Sequence, residues 1–247
     1  MHRIRLRFYE ELNDFLAAER RGREFVRSIP RPTSVKDLIE ACGVPHTEVD
    51  LILVNGRSQD FSYLVRDGDR ASVYPVFESL DITDVTQLPD RPLRSTRFLA
   101  DVHLGKLVRY LRLAGIDTAY EQDAGDVHLI ERMLQEERTL LTRDRRLLMR
   151  RAVTKGYLVR SDRPPKQFNE VLRRFDLRRW IRPYSRCAHC NTPLQRVPKG
   201  SVRSRLEPLT DRHFEVFSQC PECKRVYWAG SHLQRLDPTV REVLSPG

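Results

Sequence analysis

Along residues 4–9, IRLRFY, apolar and cationic side chains alternate, a period of two that suits a strand with one buried face. REFVRSI (23–29) repeats the alternation, and the two stretches read as a hairpin. The period changes at TSVKDLIEACG (33–43), where Val35, Leu38 and Ile39 fall on one helical stripe. Ser34 and Asp37 have capping-box spacing and Gly43 suits the stop. LILVNG (51–56) reads as a buried strand running into an Asn-Gly turn. RDGD (66–69) reads as a second turn, and ASVYPVF (71–77) as a closing strand. Residues 81–95 carry two prolines and no amphipathic period, so they are expected to form a linker.

From residue 96 the pattern alternates between strand and helix. Strands are predicted at 97–101, 117–122, 138–144 and 157–162, and helices at 102–115, 126–137, 145–156 and 165–175. Repeated βα units predict a mostly parallel α/β sheet, whose sites form at the carboxyl ends of the strands. Residues 183–236 hold few apolar side chains for their length. The N-terminal order ββαββ over residues 1–80 resembles a ubiquitin-like β-grasp (α+β) domain of the sulfur-carrier type. The carriers work through a C-terminal Gly-Gly tail, which this chain lacks; no glycine lies between Gly68 and Gly105. The resemblance therefore implies the fold, with a docking or stabilising role, and argues against carrier chemistry.

Charge narrows the function. The 247 residues carry a formal net charge of +10, with 32% charged residues, which favours a polyanionic partner such as nucleic acid. No apolar run is long enough to span a bilayer, and the charged start MHRIRLRFYEEL does not read as a signal peptide. A cytoplasmic location is expected, which disfavours structural disulfides. Four of the five cysteines form two pairs, Cys187-x-x-Cys190 and Cys220-x-x-Cys223, the spacing of two knuckles around one structural zinc. Asn191 and Lys224 follow the pairs, where a positive φ and glycine are common. Cys42 reads as a small core residue.

Asp101, Asp144 and Asp162 each end a predicted strand, and Asp126 begins a predicted helix. Asp is also a favoured N-cap, and Asp101, Asp126 and Asp144 each stand just before a helix, so capping is an equal reading of each alone. Together, carboxylates at one sheet edge call for a cation between them, Mg²⁺ or Mn²⁺ by the hardness of the ligands. Lys106, Arg109 and Arg112 on the following helix, with Arg143 and Arg145, are candidate phosphate contacts; a solvated helix face is the alternative.

These residues carry a second resemblance. RFLADVHLGKLVRYLRLAGIDT, RTLLTRDRRLL and SRCAHCN…CPECKRVYWAGSH are similar to the PIN-like nuclease domain named after the C-terminal part of the Mut-seven exonuclease, which bacterial members join to an N-terminal ubiquitin-like domain. It implies a PIN-like domain over 96–182, a zinc ribbon over 183–236 and metal-dependent ribonuclease activity on RNA, with transfer or ribosomal RNA as candidates. Asp101, Asp126 and Asp144 become the first three acids and Asp162 the fourth, with Asp123 a rival for the second. His232 stands where the family tends to carry histidine, and Tyr227 and Trp228 either pack the ribbon or stack bases. The alternative function is a non-catalytic RNA- or ribonucleoprotein-binding factor.

Overall fold

The computed structural model describes residues 1–75, 82, 84–88, 96–228 and 236–244; His232 and most of the expected linker lie outside these. The chain divides into two compact units, Met1–Arg94 with Asp144–Leu158, and Ser95–Arg143 with Val159–Gly247.

The N-terminal unit is a β-grasp. β1 (His2–Phe8), β2 (Phe25–Ile29), β3 (Val49–Val54), β4 (Arg57–Ser58) and β5 (Arg70–Pro75) form a mixed sheet in the order β2-β1-β5-β3-β4. β1 and β5 are parallel, and the other pairs antiparallel. The alternation in β1 buries Ile4, Leu6 and Phe8, against which α1 (Val35–Glu40) packs Val35, Leu38 and Ile39. Ser34 Oγ accepts from Asp37 N at 3.0 Å, the capping hydrogen bond that the spacing predicts. Cys42 is a partly buried neighbour of this core. Within the expected linker, Thr86 donates its hydroxyl to the Asp50 carbonyl at 2.7 Å, and Leu88 packs on the core.

The second unit holds the parallel sheet. β6 (Arg97–Ala100) lies between β7 (Asp117–Tyr120) and β8 (Thr139–Thr142), both parallel to it. α2 (Gly105–Leu113) and α3 (Asp126–Gln135) connect these strands. The expected helix over 145–156 is only one turn long, α4 (Arg145–Leu148), and the strand after it is β9 (Gly156–Leu158). This segment clusters with the β-grasp. The reason is a set of polar ties. His46 Nε2 meets the Val153 carbonyl at 2.8 Å, Glu48 Oε1 accepts from Leu158 N at 2.7 Å, and Arg145 donates to the Phe15 carbonyl at 3.4 Å. The Val153 carbonyl is thus engaged outside any helical ladder.

The chain returns to the second unit at Val159, whose N–H donates to the Thr142 carbonyl at 2.8 Å. α5 (Pro164–Arg174) opens with the two prolines that a first helical turn tolerates. It packs on α2, where Tyr110 and Phe168 meet edge to face at 6.0 Å. The ribbon is an antiparallel sheet of β10 (Gln195–Val197), β11 (Phe217–Gln219) and β12 (Val226–Tyr227), with α6 (Lys199–Val202) and α7 (Pro208–His213) between the first two strands. α8 (Pro238–Leu244) follows and packs against α5. Among the described residues, no helix is long and apolar enough to cross a membrane.

Candidate active site and metal centre

Asp101 follows the central strand β6 and is only 3% exposed. A buried carboxylate needs donors, and three surround it. Oδ1 accepts from His103 N at 2.9 Å; Oδ2 accepts from Arg143 N at 3.0 Å and from the hydroxyl of Thr142. His103 Nδ1 lies 3.5 Å from Oδ1, with its ring largely exposed. Two neighbouring parallel strands thus bring an acid and a hydroxyl together at their carboxyl ends. Thr142 was not among the expected site residues; its only signal is a hydroxyl closing a fully buried strand.

The other acids have local roles. Asp144 is the N-cap of α4, with Oδ1 accepting from Arg146 N at 2.7 Å. Asp126 is the first residue of α3, where its charge suits the helix dipole, and Asp123 is exposed just before it. Asp162 is 82% exposed and pairs with Arg143, which also donates to the Ser161 carbonyl at 3.1 Å. Among the described residues, no group of three or more Asp, Glu or His ligand atoms gathers within 4.8 Å.

Of the candidate phosphate contacts, Lys106 and Arg109 are exposed on α2, and Arg143 and Arg145 are exposed beside Asp144 in the sequence. Arg112 is a correction: it is 5% exposed and faces the ribbon. Its Nε donates to the Thr118 carbonyl at 2.8 Å, and its Nη1 to the His189 carbonyl in the first knuckle. Burial pulls its pKa down, while Cys187, Cys190 and Asp117 oppose the shift.

The cysteines do gather. The four Sγ atoms lie within 4.8 Å of one another, with Cys187–Cys223 at 3.5 Å and Cys190–Cys220 at 3.4 Å. Zn–S bonds of about 2.3 Å set tetrahedral thiolates ~3.8 Å apart, so this cluster could hold a metal such as zinc. The two knuckles share one geometry. Asn191 N donates to the Cys187 carbonyl and Lys224 N to the Cys220 carbonyl, each at 3.0 Å, and both residues have positive φ, +70° and +61°. The Tyr227 hydroxyl lies 3.1 Å from Cys187 Sγ, and the Thr192 hydroxyl 3.4 Å from Cys190 Sγ. Burial opposes ionisation of Cys190, but hydrogen bonds from Thr192 and the neighbouring thiols hold its pKa down to about 6. Burial pushes Cys223 up to about 12.

The first knuckle is built onto the edge strand β7. Asn191 Oδ1 accepts from Thr118 N at 3.1 Å and its Nδ2 donates to Asp117 Oδ1 at 2.8 Å. Asp117 also accepts from Arg138 at 2.7 Å. Burial pushes the Asp117 carboxyl up, but the hydrogen bonds from Arg138 and Asn191 and the nearby arginines outweigh it and hold it below the usual range. Gly115, at φ +85°, lets the chain leading to the ribbon cross the end of α2; a Cβ there would lie 2.4 Å from the Arg182 carbonyl.

No curated protein and no solved structure matches the chain. Two family models do: the Mut7-C ubiquitin model over residues 1–81 and the Mut7-C RNAse domain model over residues 96–240. The second spans more than half of the sequence, and the protein belongs to the Mut7-C RNAse domain family, with a ubiquitin-like domain preceding its nuclease-type domain.

Proposed function

We propose that the chain is a ribonuclease that hydrolyses RNA phosphodiester bonds with Mg²⁺ or Mn²⁺ held by Asp101, Asp126 and Asp144, and with Asp162 as an accessory acid. The observation that carries this reading is Asp101, a buried carboxylate at the end of the central parallel strand. Such strand ends are where sheets of this class hold their sites. Three donors occupy three of its roughly four acceptor positions and fix its orientation, which leaves capacity for a cation contact. A bound divalent ion supplies an activated water and stabilises charge at phosphorus. Thr142 and Arg143 N–H hold the carboxylate in place.

That no three carboxylates gather within 4.8 Å among the described residues favours a second reading, an RNA-binding factor without catalysis. The cysteine cluster is proposed to hold one structural zinc, since four thiolates close the coordination shell. The ubiquitin-like domain is proposed as a scaffold for residues 144–158, which carry Asp144; the contacts of His46 and Glu48 support this.

Asp101→Asn tests the catalytic reading. Asn keeps one acceptor oxygen, which can serve Thr142 and Arg143 N while the acceptor for His103 N is lost, so the melting temperature should fall by only a few degrees while Mn²⁺-dependent cleavage falls by at least ~100-fold. Equal cleavage by both proteins would remove Asp101 from the site. Absence of cleavage by the wild type on single-stranded and structured RNAs would favour the binding factor.

A further inference from the structure

Between α2 and the ribbon lies a cleft of about 570 Å³, within the size range of ligand clefts. Its described lining combines Arg109 of α2, Arg205, and Arg225 beside the second knuckle with the rings of Tyr184 and Trp228 and with His189 of the first knuckle. No carboxylate stands among these described residues. All belong to one compact unit, and the three arginines are exposed.

The walls are fixed in place. Arg205 donates to the Lys224 carbonyl at 2.6 Å. Trp228 leans on Phe217 of the ribbon core, ring centres 6.2 Å apart. Tyr184 N donates to the Leu113 carbonyl at 3.0 Å, which ties its loop to the end of α2. The backbone of His189 is anchored by Arg112. Aromatic faces within a cationic rim, without acids, match the chemistry of single-stranded nucleic acid: bases stack on rings while arginines track the phosphates. Duplex RNA, whose bases are stacked on one another, offers nothing to the rings.

We propose that this cleft is a binding site for unpaired RNA nucleotides, separate from the acids, with Trp228 and Tyr184 stacking bases and Arg109, Arg205 and Arg225 contacting phosphates. The inference rests on RNA being the ligand and not on cleavage, so binding is measured in buffer without Mg²⁺ or Mn²⁺.

The chain has two tryptophans, so Trp180→Phe leaves Trp228 as the only reporter. Titration of that protein with an eight-nucleotide oligouridine should quench its emission saturably. Adenosine monophosphate and a blunt RNA duplex should bind at least ~10-fold more weakly. Arg109→Ala/Arg225→Ala, two exposed positions, should weaken oligouridine binding ~10-fold or more and reduce the slope of log affinity against log salt by ~0.7 per lost phosphate contact. Metal content and melting temperature of the double variant check that the fold persists. Unchanged affinity and salt slope in that variant, oligouridine binding without a change in Trp228 emission, or equal binding of the mononucleotide or the duplex would each overturn the proposal. If the wild type cleaves RNA while any of these holds, the cleft fails and the ribonuclease reading stands. If binding depends on the arginines but no RNA is ever cleaved, the reverse is true.

Discussion

In the β-grasp, β1, β3 and α1 each bury three apolar residues in a shared core and β5 buries two, and the core also takes in Leu12, Phe15 and Val65. In the ribbon over 183–228, the buried residues are Val202, Phe217, Thr210 and two of the clustered cysteines, Cys187 and Cys220. Burial scales with apolar area at roughly 25 cal/mol per Å², so the first region has a large hydrophobic term and the second a small one. The ribbon is held by three other things: the cysteine cluster, the hydrogen-bonded knuckle turns, and polar ties from Arg112, Asn191 and Asp117 to the edge of the parallel sheet. One region should respond to loss of core volume, and the other to loss of metal and of single polar groups.

The largest effect should come from the metal. Structural zinc contributes roughly 10–16 kcal/mol of apparent binding energy in small zinc modules. Purified protein should contain about one zinc per chain. Chelation, or Cys187→Ser, should abolish hydrogen-exchange protection of the amides in 187–227 and leave that of β1, β3 and β5 in place. Equal loss of protection in both regions would mean that they do not stand on separate supports. Full protection of the ribbon after complete chelation would show that its polar ties suffice.

A smaller effect should follow from cutting a tie. Arg112→Met keeps much of the aliphatic length and removes the donors to Thr118 and His189. Buried carbonyls that lose a charged donor cost about 2–4 kcal/mol. The variant should keep its zinc but release it faster to a chelator. A release rate equal to wild type would make Arg112 a packing residue only.

Asp117 should add a pH signature. Its folded pKa is lowered, so its contribution is full above the ordinary aspartate value, about 3.9, and fades as pH falls through the lower folded value. The wild type should melt above Asp117→Asn between pH 5 and 7, with the gap closing below about pH 4. A gap that stays constant down to pH 3.5 would assign the difference to shape rather than charge.

Different parts of this arrangement were visible in the sequence to different degrees. The capping by Ser34, the alternation of β1 and the paired cysteines are encoded within a few residues of themselves, and the structure has each of them. The length of α4 is not local. A helix is expected over 145–156, yet it stops after Leu148, and the Val153 carbonyl meets His46, 107 residues earlier in the chain. Arg112 has the same history: its position on α2 follows from periodicity, but its burial depends on the His189 carbonyl, 77 residues away. Of the acids, only the environment of Asp101 could be expected from its strand, because β6 has a parallel neighbour on each side. The capping by Asp144 was one of two readings that the sequence left equal, and the structure contains that cap.

The smallest predicted effect lies within the ribbon, in the two knuckle residues with positive φ. A non-glycine residue in the left-handed region costs roughly 1 kcal/mol of strain. At Asn191 the side chain offsets this through its bonds to Thr118 N and Asp117. At Lys224 the side chain is exposed and its Nζ reaches only the Pro221 carbonyl, at 2.6 Å. Lys224→Gly relieves the strain and loses one exposed contact, but it also raises the entropy of the unfolded chain. Its backbone bonds, the carbonyl accepting from Arg205 and Gln219, remain possible. The net result should be a gain of about 0.5 kcal/mol, whereas Asn191→Gly should lose about 1–2 kcal/mol with its two hydrogen bonds. Denaturant unfolding of both variants with zinc bound measures the difference. If the two substitutions shift the midpoint equally, knuckle strain and not the tie to β7 governs both positions, and the first knuckle is no better anchored than the second.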